Sequence, residues 1–208
     1  MYSYEIVKRI LETAIDSLVD NFAREPYIHR CEHSIHCELY NMLVVHRALD
    51  GLYLLNNEGR RTTLIHKEWP ETKPRPEKKG RRGNFDLAIL DPAEILSSTV
   101  KEFTEGRITP AFVVEMGLNY PLDHLRDDDD KLENSGFNKK NSGCNKHGYL
   151  IHLWQPHKGI TKKDVEKLLN WMPEAKNMVA SVMFFDGEVM VKHLSDTNLV
   201  NISKNEYC

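Results

Sequence analysis

Two stretches of this chain, residues 84–90 and 111–118, are almost unbroken in apolar side chains, yet each carries one acid. Asp86 stands in Asn84-Phe85-Asp86-Leu87-Ala88-Ile89-Leu90, and Glu115 in Ala111-Phe112-Val113-Val114-Glu115-Met116-Gly117-Leu118. Runs of this length, the first stopped by Asp91-Pro92, read as strands buried on both faces of a sheet. A carboxylate inside such a strand is costly to keep ionised unless it pairs with a base or shares a cation. If neighbouring strands bring the two acids together, repulsion raises one pKa unless a hard divalent ion lies between them. The residues alone leave the ion pair and the shared ion both open.

The surrounding elements follow from periodicity. Residues 3–22 place Val7, Ile10, Leu11, Ala14, Ile15, Leu18, Val19 and Phe22 on one stripe, the pattern of an amphipathic helix. A second helix is expected from Ser34, as N-cap, to His46, with Ile35, Leu39, Met42 and Leu43 inward. Residues 62–69 read as a strand, and a mixed helical insert separates the two acid-bearing strands. Pro121 opens a helix carrying Leu122, Leu125 and Leu132, a loop follows over 134–148, and 149–154 is a further strand. Thr161 caps a helix with Val165, Leu168, Leu169 and Trp171. Asp186-Gly187 between 179–185 and 188–194 is a two-residue hairpin signal. The order predicts an α/β fold: a mixed central sheet flanked by helices, closed by a C-terminal β-hairpin, with residues 1–208 as one domain.

Lys and Arg number 28 against 31 Asp and Glu, a formal charge of −3, so no global basic excess announces a polyanionic partner. The basic stretch Lys73, Arg75, Lys78, Lys79, Arg81 and Arg82 lies directly before the Asp86 strand. It suits a grip on backbone phosphates, or equally a solvated loop. Cysteines at 31, 37, 144 and 208 form no CxxC pair, and no long apolar run exists, which reads as a soluble, cytoplasmic chain without a membrane partner. His29, Cys31, His33, His36 and Cys37 crowd nine positions, but their spacing matches no closed zinc motif. The run Asp127-Asp128-Asp129-Asp130 lacks the alternation of a calcium loop and reads as a solvated helix face.

Glu38 lies three residues after Ile35 and four before Met42, beside the apolar stripe of the second helix. The ordered series Cys37-Glu38-Leu39-Tyr40-Asn41-Met42-Leu43, Arg82-Gly83-Asn84-Phe85-Asp86-Leu87-Ala88-Ile89 and Ala111-Phe112-Val113-Val114-Glu115-Met116-Gly117 resembles the PD-(D/E)XK, or restriction-endonuclease-like, nuclease superfamily. The likeness covers roughly residues 34–155 and rests on short motifs. It implies an αβββαβ core, with Glu38 as the first-helix acid, Asp86 and Glu115 as the acids of the second and third strands, and the Met116 carbonyl as a further metal ligand. The superfamily's lysine is missing, since Gly117 stands two residues after Glu115. Some members carry it on the following helix, where Lys131 is the candidate; a surface ion pair with Asp127 is the plainer reading of that lysine.

The resemblance implies a Mg²⁺-dependent (or Mn²⁺-dependent) nuclease acting on phosphodiester bonds of nucleic acid, DNA in particular, with association as a homodimer left open. Loss of the lysine would instead leave a binding module on the same fold, and an unrelated α/β protein is a third reading.

Overall fold

A computed structural model describes residues 2–56, 59–74, 81–138, 146–196 and 200–202. Nine strands and six α-helices are found among them: α1 Tyr4–Arg24, α2 Glu32–Val44, β1 Tyr53–Leu55, β2 Arg60–Thr62, β3 Ile65–Pro70, β4 Asn84–Leu90, α3 Pro92–Ser97, α4 Val100–Thr104, β5 Pro110–Leu118, α5 Leu122–Asn134, β6 His147–Leu153, α6 Lys162–Trp171, β7 Met178–Phe185, β8 Glu188–Lys192 and β9 Val200–Ile202.

Seven strands make one mixed sheet in the order β3-β4-β5-β6-β7-β8-β9. The β5/β6 and β6/β7 pairs are parallel, and the β3/β4, β4/β5, β7/β8 and β8/β9 pairs are antiparallel. The parallel strands sit in the middle, where both faces are covered, and β5 is buried at every position from Pro110 to Leu118. Successive residues of β6 show the two helical layers. Tyr149 Oη donates to Glu12 of α1, whereas a side chain at the neighbouring Gly148 would meet Leu132 of α5 and Phe137 just beyond it. Because adjacent strand residues point to opposite faces, α1 and α5 cover opposite sides of the sheet. α2 packs beside α1 over β3, β4 and β5, and α6 packs beside α5.

Several boundaries follow from local chemistry. α6 begins at a capping box in which Thr161 and Asp164 satisfy each other's backbone N–H groups. The β7/β8 hairpin turns at Asp186 (φ 51°) and Gly187 (φ 81°), the positive pair that a tight hairpin needs. The second helix starts at Glu32 rather than after a Ser34 cap, because the Ser34 hydroxyl donates back to the Cys31 carbonyl from inside the first turn. The expected strand over 62–69 is divided: β2 pairs with β1 in a separate two-stranded sheet, and β3 alone joins the main sheet. Among the described residues, no helix is long and apolar enough to cross a membrane.

The acidic run of α5 is not a solvated face. Asp129 is buried, and its carboxylate accepts the Lys176 N–H at 2.8 Å, the Asn177 N–H at 3.0 Å and the Asn177 side-chain amide at 2.9 Å, tying α5 to the entrance of β7. Asp130 pairs on the surface with Lys176 at 2.8 Å. Asp129→Ala strands buried donors and should destabilise by about 2–4 kcal/mol. Asp130→Ala, which breaks an exposed pair, should cost under about 1 kcal/mol. Urea denaturation of the two variants checks the contrast, and equal midpoints would refute the clamp.

Candidate active site

The β4/β5 ladder runs from Leu90–Pro110 to Leu87–Val114 and ends there. Asp86 and Glu115 each stand one residue past the last pair, so the two acids meet where the strands part. In place of a ladder bond, Asp86 Oδ2 accepts the Met116 backbone N–H at 2.7 Å. This fixes one carboxylate oxygen and directs the carboxyl towards β5.

Helices from both layers complete the site. Lys131 of α5 is 7% exposed, and its Nζ lies 2.7 Å from Oε1 of Glu115, which is itself 3% exposed. The ammonium also stands 5.7 Å from the centre of the Phe85 ring. From α2 come Glu32 and His36, four residues apart and therefore on one face. His36 Nε2 lies 3.6 Å from both Glu32 Oε1 and Asp86 Oδ2. One donor atom from each of Glu32, His36 and Asp86 falls within 4.8 Å of the other two. Tyr120, His124, Asp127 and Asp128 line the rest of a cavity of about 230 Å³ that also touches Met116, Glu115 and Lys131.

The electrostatics are those of too many acids around one base. Burial lifts the Asp86 carboxyl to about 7, against which the Met116 N–H and Lys131 pull down. Burial, reinforced by Asp86, holds Glu115 well above the ordinary carboxylate range although Lys131 opposes it. Asp128, paired with His124 Nδ1 at 3.2 Å, is also raised by burial. Burial works against the charge of Lys131, but Glu115, Asp128 and Asp86 outweigh it and keep the ammonium above its usual pKa. His36 is pushed down to about 4, by burial first and then by Lys67 and His33, so its imidazole is neutral at physiological pH. Tyr120 rises to about 12, chiefly because its hydroxyl bonds to Glu32.

The residues singled out in the sequence do not all converge. Asp86, Glu115, Met116 and Lys131 come together, and Lys131 turns inward to Glu115 instead of pairing on the surface with Asp127. Glu38 does not join them. Its carboxylate is taken by His29 Nε2 at 2.6 Å and Asn21 Nδ2 at 3.1 Å, on another face of α2, and the acid facing Asp86 is Glu32. In the basic stretch, Arg82 is occupied by the carbonyls of Gly106 (2.9 Å) and Glu105, which makes it a structural clamp rather than a free phosphate contact. Lys73 and Arg81 are exposed, while Arg75, Lys78 and Lys79 lie outside the described residues. Glu32 was missed, and His36 and Asp128 were read only within the histidine–cysteine cluster and the acidic run; the i,i+4 spacing of Glu32 and His36 was the available signal, obscured by starting the helix at Ser34.

A carboxyl whose pKa is raised on folding keeps its proton where the unfolded chain has lost it. The Asp86 contribution to stability without metal therefore falls as pH rises from the ordinary aspartate value of 3.8 to about 7, and changes no further above that. The loss at Asp86 is bounded at roughly 4 kcal/mol. Asp86→Asn should reduce this slope, leaving the part due to Glu115 and Asp128, and raise the Tm of the metal-free protein at pH 8; an unchanged Tm would contradict the buried charge. Divalent-cation affinity, read by calorimetry, should weaken at least tenfold for each pH unit below 7, because binding displaces the Asp86 proton. Glu32→Gln should weaken it and Glu38→Gln should not. Comparison with protein-family models, with curated proteins and with solved structures gave no match, so the chemistry of the site carries the functional reading by itself.

Proposed function

We propose that the chain is a metal-dependent nuclease that hydrolyses phosphodiester bonds of DNA, built on a restriction-endonuclease-like core. With the β1/β2 pair and the short helices α3 and α4 set aside as insertions, the order α2, β3, β4, β5, α5, β6 is consistent with the αβββαβ core that the resemblance implies. The observation that carries the reading is the lysine: Lys131, delivered from the helix after the third core strand, reaches Glu115 at 2.7 Å in the cavity that also holds Asp86.

The residues fit a divalent ion on two grounds. Both ring nitrogens of His36 and Oε2 of Glu32 are buried without a hydrogen-bond partner, a costly state that a cation relieves at Glu32 and at the His36 nitrogen that carries the lone pair. The carboxylates of Glu32, Asp86 and Glu115 outnumber the single ammonium, and the donors are hard oxygens with one neutral imidazole. That mixture suits Mn²⁺ at least as well as Mg²⁺, which prefers oxygen alone. Glu32, His36, Asp86 and Glu115 would hold the ion, with the Met116 carbonyl as a further donor. A bound divalent ion supplies positive charge beside the phosphate and lowers the pKa of a water.

The chain's own groups do the rest. Glu115 keeps Lys131 charged and points its ammonium into the cavity, where it can donate to a phosphate oxygen or orient the attacking water. The Met116 N–H holds the Asp86 carboxylate in one orientation. Tyr120, neutral throughout the working pH range, holds Glu32. Lys73, Arg75, Lys78, Lys79 and Arg81 serve as sequence-independent phosphate contacts, whose signature is salt-dependent binding.

The test is cleavage of plasmid and oligonucleotide DNA by the pure protein with Mn²⁺ or Mg²⁺. Cutting is expected with Mn²⁺ at least as fast as with Mg²⁺. Asp86→Asn and Glu115→Gln should each lose it by about 10² or more. Lys131→Ala should lose it similarly while metal binding persists. DNA binding with no cleavage in either metal would overturn the nuclease reading in favour of a binding module.

A further inference from the structure

A second set of ligands stands just outside the cavity. His33 and His36 are three residues apart on α2, with rings 5.5 Å apart and nearly perpendicular, and Glu68 of β3 faces them. One donor atom from each of the three lies within 4.8 Å of the others. Glu68 is out of the β3/β4 ladder: Lys67 pairs with Leu87 and Trp69 with Phe85, but the residue between them has φ 54°. That left-handed backbone is strained for a residue with a side chain. His36 is 1% exposed, and neither of its nitrogens has a hydrogen-bond partner.

We propose that His33, His36 and Glu68 form a second cation site, selective for a borderline transition-metal ion such as Zn²⁺ or Co²⁺. Two imidazoles and one carboxylate leave a tetrahedral ion one open position for water. Such an ion sets its donors about 3.4 Å apart, so closure needs the two exposed side chains, His33 and Glu68, to move inward by about an ångström. Both can do so, because only His36 is locked by packing. Lys67, whose charge acts on His36, directs its Nζ to Cys37 Sγ at 3.6 Å rather than to the cluster. The ligand set excludes Mg²⁺ as the preferred occupant, since that ion favours oxygen donors and retains its waters.

One neutral imidazole has a single lone pair, so an ion at this outer site takes His36 away from the carboxylate cavity. Binding of Zn²⁺ outside thus weakens the inner nitrogen-containing site, whatever reaction that cavity supports. The outer site itself does not depend on the nuclease reading.

The test is titration of the full chain with Zn²⁺ by calorimetry and with Co²⁺ by visible absorption, using five proteins: wild type, His33→Gln, Glu68→Gln, Glu115→Gln and Glu32→Gln. His33 and Glu68 are exposed, so their variants keep the fold. The expected result is one Zn²⁺ or Co²⁺ that persists in Glu115→Gln and Glu32→Gln and is weakened at least tenfold in both His33→Gln and Glu68→Gln. Unchanged affinity in either outer variant overturns the site. Loss confined to Glu115→Gln or Glu32→Gln also overturns it, because the ion would then belong to the cavity. Failure of DNA cleavage, by contrast, bears only on the function proposed for the cavity.

Discussion

The structure is organised around an imbalance of buried charge. Asp86 and Glu115 converge where β4 and β5 separate, Glu32 and Asp128 border the same cavity, and Lys131 is the ammonium set among them. One base cannot neutralise four acids, and burial makes the surplus expensive. The upward shifts of Asp86, Glu115 and Asp128 are the protein's metal-free answer, in which carboxyls keep protons they would lose in water. A divalent ion would be the other answer, and the proposed function rests on it.

The fold creates this imbalance by ending a ladder early. While β4 and β5 are paired, their side chains fill the core: Leu87, Ala88, Ile89, Phe112, Val113 and Val114 are fully buried. One residue later the strands part, the Asp86 carboxylate takes the Met116 N–H, and the opening is reached by helices of both layers. α2 brings Glu32 and His36 from the layer of α1, and α5 brings Lys131 and Asp128 from the other. The same stretch of β3 departs from regular geometry at Glu68, opposite Asp86 in register. The positive φ of Glu68 thus falls beside one of the two acids that most need electrostatic compensation.

Much of this could be seen in the sequence, for a definite reason. An acid within an apolar run is a local anomaly, so Asp86 and Glu115 were legible, and β4 was delimited correctly by Asn84 and by Asp91-Pro92. The Asp186-Gly187 hairpin and the Thr161 cap were legible because turn and cap chemistry is local. Which acid of α2 faces the sheet was not: Glu32 and Glu38 are six residues apart, so they face different ways, and the choice depends on helix rotation fixed by packing against α1 and β3–β5. The buried role of Asp129 was hidden for the same reason, since its partners Lys176 and Asn177 lie 47 and 48 residues away. Glu68 carries no sequence signal of its positive φ, which glycine would have announced.

The proposed function stands on a divalent cation that Asp86, Glu115, Glu32 and His36 would hold. Anomalous diffraction from a crystal soaked in Mn²⁺ locates that ion directly. The account predicts a peak within coordination distance of Asp86 and Glu115, near the Lys131 ammonium. A Mn²⁺-soaked crystal with no peak in that cavity, and with the Glu115–Lys131 pair intact, would contradict it.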